Sequence, residues 1–180
     1  MADSISLSTI RSRLRARGEV DEAYASNSIL NDWIQESYHE LYDLLVINNP
    51  THNVSSSTAN VTSGTNNYAM ASDFYRLRGV EILGSDSNWI TTYSYPWGAR
   101  NQSQSAGTVS RRSVRHHLMG TTLYLSPTPN WTTTNGLRVW YTPVAASLAN
   151  DNSTLDFVNG WESYVVADCL AMYADRKSVV

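Results

Sequence analysis

The stretch Asn159-Gly-Trp-Glu-Ser-Tyr-Val-Val-Ala-Asp-Cys-Leu-Ala-Met-Tyr-Ala-Asp-Arg-Lys177 decides the fold. Asn159 can cap a helix while Glu162 reaches back three residues later, and Trp161, Tyr164, Val165, Cys169 or Leu170, Met172 and Tyr173 then form a broad apolar face. Such a face has to be covered. Matching patterns lie at the opposite end of the chain. Leu7, Ile10 and Leu14 make one stripe of a short helix, with Ser6 as N-cap and Gly18 as stop. Leu30, Trp33, Ile34, Tyr38, Leu41, Tyr42 and Leu45 recur at three and four after Ser26 or Ser28, until Asn48-Asn49-Pro50 closes the run. Packing the last helix on the first two gives an α+β chain: a small helical bundle built from both chain ends, with an inserted antiparallel β-rich segment. The expected division is 1–48 plus 157–180 for the discontinuous helical body and 49–156 for the β-rich insertion with long polar loops.

Within the insertion, Tyr75 and Leu77 share one parity, whereas Val80 and Ile82 take the other beyond Gly79, so a bulge at Gly79 is expected. The run Trp89 to Tyr95 is aromatic and β-branched, stops at Pro96, and reads as one edge strand. Val114 to Met119 and Thr122 to Ser126 flank Gly120-Thr121 as a hairpin, with Leu123 and Leu125 inward. Leu137 to Tyr141 alternates as a further strand and Pro143 ends it. Residues 51–67 and 99–110 are rich in Ser, Thr and Asn, bury little, and read as polar loops that order on contact with a partner.

The 180 residues suffice for one core and an elaboration. Charged residues make up 16%, below the roughly 25% of ordinary domains. Eleven Tyr and six Trp against two Phe favour rings that meet an apolar contact and still hydrogen-bond at the rim, a palette suited to subunit interfaces. Net charge is −3, not the basic balance of a dedicated nucleic-acid binder, so any nucleic-acid contact is local. The N-terminus lacks a basic stretch followed by an apolar run, and no apolar run is long enough for a membrane span, so a protein without a membrane partner is expected.

A search for chemistry finds none. Cys169 sits among Ala167, Leu170 and Ala171 with no His nearby in sequence, as a small core residue does. His116 and His117 point to opposite faces of a strand and cannot grip one metal together, with His39 and His52 remote. Phosphate loops, nucleophile elbows and zinc-protease motifs are missing, so neither an enzyme nor a cofactor is expected. Two basic groups remain. Arg11 and Arg15 share one side of the first helix and Arg13 and Arg17 another, facing either an acidic partner or DNA phosphates, or lying on a solvated perimeter. Arg111, Arg112 and Arg115 follow a flexible stretch and could order on a partner. Trp89, Trp97, Trp131 and Trp140, set among polar loops, are candidate interface aromatics.

Four stretches in order carry a resemblance: Asp73-Phe-Tyr-Arg-Leu-Arg-Gly-Val-Glu-Ile82, Leu118-Met-Gly-Thr-Thr-Leu-Tyr-Leu-Ser-Pro-Thr-Pro129, Leu137-Arg-Val-Trp-Tyr-Thr-Pro143 and Leu155 to Ala171. A short basic helix and the long helix opening Ile29-Leu-Asn-Asp-Trp-Ile-Gln-Glu-Ser-Tyr-His-Glu-Leu41 precede them. Together they resemble the head-to-tail adaptor proteins of tailed bacteriophages, also called connector or neck proteins. The resemblance implies a virion structural protein in the neck between head and tail, assembled in the host cytoplasm. It implies a ring of the protein with itself, commonly of roughly twelve copies, under the portal protein, joined to a tail tube, nozzle or tail-completion protein, with genomic DNA passing through. Related adaptors are expected to continue into a portal-embracing C-terminal arm beyond Asp175-Arg-Lys-Ser-Val-Val180. The alternative class is a carbohydrate- or partner-binding β module of a phage tail component, suggested by the four tryptophans. A DNA-binding regulator using the first helix is a third.

Overall fold

The computed structural model describes residues 5–99, 109–155 and 160–178. The chain divides into two compact units, Met1–His52 with Ala145–Val180, and Asn53–Val144. Three helices form the first: α1 (Leu7–Gly18), α2 (Asn27–Asn48) and α3 (Glu162–Ser178). Ser6 caps α1, its Oγ accepting from the Thr9 N–H at 3.3 Å, and Ser26 caps α2 through the Ile29 N–H. At the start of α3 the Glu162 carboxylate accepts from the Gly160 N–H at 3.0 Å, while the expected cap residue Asn159 lies outside the described residues.

The expected apolar stripes meet in one core. Leu7, Ile10 and Leu14 of α1 pack with Ile34, Tyr38 and Leu41 of α2 and with Val165, Val166 and Cys169 of α3. Each fully buried aliphatic side chain there is worth about 1.5–3 kcal/mol. Leu148 and Leu155 join the same core. The backbone around them is fastened by Leu7 N–H to Ser153 O and Leu155 N–H to Ile5 O. The return to the helical unit therefore begins at Ala145, earlier than the expected boundary at 156. Gly18 does not end α1 by going left-handed; Glu19 takes that conformation, with φ 47°. A Cβ on Gly18 would run into a Leu170 methyl, which marks the close approach of α3 to the end of α1.

The β unit holds β1 (Ser55–Val61), β2 (Asn67–Ala69), β3 (Phe74–Leu83), β4 (Trp89–Thr91), β5 (Tyr93–Ser94), β6 (Arg115–Met119), β7 (Thr122–Ser126) and β8 (Thr133–Pro143). They form two four-stranded sheets, β1-β8-β3-β4 and β2-β7-β6-β5, antiparallel except for the short β5 and β6 pair. Val80, Ile82, Leu137 and Val139 from the first sheet share a core with Leu123 and Leu125 from the second and with Val114, just before β6. The expected bulge is present: Leu77 faces Tyr141 and Gly79 faces Trp140, so Arg78 is the extra residue and Leu77 joins the face of Val80 and Ile82. The β6 and β7 hairpin turns at Gly120, which has φ 58°, with Met119 paired to Thr122.

Two expectations need correction. The polar stretch 51–67 is not a loop throughout, because Ser55 to Ala59 pair with Tyr141 to Leu137 as edge strand β1 and Asn67 opens β2. Small inward residues, Ser55, Ser57 and Ala59, let β1 sit against the apolar β8 without an apolar pattern of its own. Of the second expected loop, residues 100–108 lie outside the described residues, and Trp97–Ala99 and Arg111–Ser113 are single 3₁₀ turns. The run from Trp89 to Tyr95 is two strands in different sheets, not one. At the crossing point the Thr92 N–H and hydroxyl both donate to Val80 O, which anchors the chain where it leaves the first sheet.

Candidate interaction surfaces

The arginines of α1 fall into the two expected rows, with different fates. Arg11 donates to Asn31 Oδ1 at 3.1 Å and pairs with Asp151 at 2.8 Å, with its side chain 13% exposed. Arg15 donates to the carbonyls of Val20 and Ala25 and to Asn27 Oδ1, tying down the α1 to α2 connection. This row is structural. In the other row Arg13 lies 3.7 Å from Glu162 with a partly exposed side chain, and Arg17 is exposed. In the β unit Arg111 donates to Leu83 O at 2.7 Å and caps the Trp131 ring, whereas Arg112 and Arg115 are exposed.

The tryptophans do not form one platform. On the outer face of the first sheet, Arg138 lies 4.1 Å over the Trp89 ring and 5.0 Å from Trp140. Both Arg138 and the Trp140 indole N–H donate to the same Glu81 oxygen, at 2.7 and 2.8 Å. Register makes this cluster, since Glu81 faces Arg138, Gly79 faces Trp140 and Leu83 faces Trp89. Trp131 packs on the inter-sheet core under Arg111. Trp97 keeps an exposed ring, at 5.3 Å from His117.

A surface absent from the sequence expectations lies on α2. Asp32, Glu36, Glu40 and Asp43 fall on its outward side, exposed, and the same side continues into exposed Ile47 and Leu44. Beside it, Leu41, Leu44, Leu45, His52, Trp161 and Tyr164 line a groove of about 550 Å³. The helical unit thus presents an acidic stripe ending in an apolar patch.

Comparison with family models matches residues 5–178 to the SU10 adaptor protein family. The chain belongs to that family. It is a phage adaptor, a component of the virus particle that contacts other phage structural proteins. A search of curated proteins finds no match.

In the adaptor, Cys169 and His116 are buried. Burial, with the Asp168 carboxylate adding to it, pushes the Cys169 thiol up to about 12, so it stays protonated in the helical core. Among the described residues no group of three His, Cys, Asp or Glu could hold a metal ion, and no helix is long and apolar enough to cross a membrane. His116 is buried beside the Thr92 hydroxyl, its Nδ1 at 2.7 Å. Burial, reinforced by His117, holds its pKa below the usual imidazole value. The neutral ring is therefore favoured by folding. Above the unfolded value near 6.5 the linkage is silent, and as pH falls through it the unfolded chain binds the proton first. The adaptor's stability is expected to fall on acidification from about pH 7 toward 5. His116→Gln should flatten that slope in urea titrations at several pH values, and an unchanged slope would contradict the assignment.

Proposed function

We propose that the protein is a head-to-tail adaptor, forming a ring beneath the portal and linking it to the tail while genomic DNA passes through the centre. It works by binding alone, with no catalytic step or cofactor. The observation that carries this reading is the family match across nearly the whole chain, from residue 5 to 178. A repeated ring interface multiplies weak contacts by avidity, which suits a surface of exposed aromatic, apolar and separated charged groups. With acids facing the channel, the net charge of −3 per copy would favour passage of DNA over its retention, and a lumen lined by Arg11 to Arg17 would contradict that.

The carbohydrate-binding alternative requires flat, exposed tryptophan rings. Trp89 and Trp140 are stacked on Arg138 and Trp131 lies under Arg111, which leaves Trp97 as the exposed ring of the four. A DNA-binding helix α1 would need its arginines outward, and Arg11 and Arg15 are committed within the chain. Electron microscopy of the purified protein mixed with purified portal rings tests the proposal. A second, stacked ring on one face of the portal is expected. Glycan-array binding by the free protein with no attachment to portal rings would contradict it.

A further inference from the structure

Charge in the helical unit is sorted by helix. The α1 sequence carries four arginines and no acid, and α2 carries four acids and no Lys or Arg over 22 residues. The two helices nevertheless do not neutralise one another. Among the described residues, the ion pairs of α1 go to Asp151, Glu162 and Glu22, none of them on α2. Asp32, Glu36 and Glu40 stand exposed on the outward side of α2 with no ion pair among the described residues. Asp43 and Ile47 extend that stripe to about 22 Å, counted at 1.5 Å per residue. Ile47 is 62% exposed and Leu44 50%, more than an isolated helix end needs.

A complementary surface exists on the same unit. Arg13 and Arg17 are four residues apart on α1, on the side turned to α3, where Arg13 meets Glu162. A two-fold contact of α2 with α2 would set carboxylates against carboxylates, which is repulsive. Contact between the acidic stripe of one copy and the basic row of the next has opposite signs and leaves one unused surface of each kind at the ends, the condition for head-to-tail growth, which gives a ring where the rotation between copies closes.

We propose that the α2 stripe of one copy, from Asp32 to Ile47, docks on the Arg13 and Arg17 row of a second copy, with Leu44 and Ile47 as its apolar anchor. This rests on the ring reading above and specifies its contact. The carboxylates fix register and direction, and the apolar end supplies the buried area.

The test uses the full chain and two variants, Glu36→Lys with Glu40→Lys, and Arg13→Glu with Arg17→Glu, each checked for wild-type helical circular dichroism. Self-association is followed by sedimentation velocity in low salt and by electron microscopy on portal rings. Each variant alone should associate at least about tenfold more weakly than wild type, since two attractions become repulsions. An equimolar mixture should recover, because each reversed surface then meets its complement on the other variant. Raising salt should weaken the wild type. Variants that assemble alone as well as wild type would overturn this contact and leave the ring reading intact. A wild type that forms no oligomer in solution or on portal rings would overturn both.

Discussion

Val165→Asp is expected to melt α1 and α2 together with the helix that carries the substitution. Val165 is fully buried among residues of all three helices, with Leu7, Ile10 and Leu14 on α1 and Ile34, Tyr38 and Leu41 on α2 in the same core. An aspartate there either loses its hydration as an ion or takes up a proton to stay neutral, and also forfeits the valine contacts. The combined cost is above about 4 kcal/mol, large against a domain stability of roughly 5–15 kcal/mol. Hydrogen exchange read by mass spectrometry checks this directly. Amides in residues 7–48 should lose protection along with 162–178, although the mutation is more than a hundred residues away in sequence. Unchanged protection of α1 and α2 would contradict a helical core closed by both ends of the chain.

Arg138→Ala is expected to destabilise the β unit by about 2–4 kcal/mol. The guanidinium reaches one Glu81 oxygen through Nε at 2.7 Å and Nη2 at 2.6 Å, and lies against two indole rings. Removing one partner of a buried pair costs about 3–5 kcal/mol; side-chain exposures of 25% and 21% place this pair somewhat below that. Lost cation–π contact with Trp89 adds to the effect. Arg138→Lys should fall between, since it keeps the charge and loses the planar fork. Urea unfolding followed by tryptophan fluorescence measures both. A loss below about 0.5 kcal/mol for the alanine variant would mean that the cluster is a solvated surface pair.

The helical unit was legible because its signals are local. Periodic apolar residues, Ser6 and Ser26 as caps, and the Asn48-Asn49 stop all act within one turn of where they stand. The parity switch at Gly79 was legible for the same reason, since a bulge leaves its mark in consecutive residues. Strand β1 was hidden because its order comes from β8, some eighty residues later, and its inward side chains are serines and an alanine. The split of Trp89 to Tyr95 depends on Thr92 meeting Val80 and His116, contacts that no run of β-formers announces.

The same divide runs through the candidate surfaces. That Arg11 and Arg15 share a side follows from helical geometry, but their anchoring partners Asp151, Asn31 and Ala25 are set by the fold. Trp89, Trp131 and Trp140 looked available among polar loops, yet strand register brings two of them around one arginine. The acidic stripe of α2 was within reach of the sequence. Asp32, Glu36, Glu40 and Asp43 repeat at four, four and three in a helix without Lys or Arg, a spacing that puts them on one side.

The position of the protein in the particle is the most direct measurement of the adaptor reading. An electron cryomicroscopy map of the phage neck should show a ring of subunits touching the portal, each with the three-helix core and the two four-stranded sheets. Finding the same subunit only in tail fibres, or a neck whose portal-contacting ring has another fold, would contradict it.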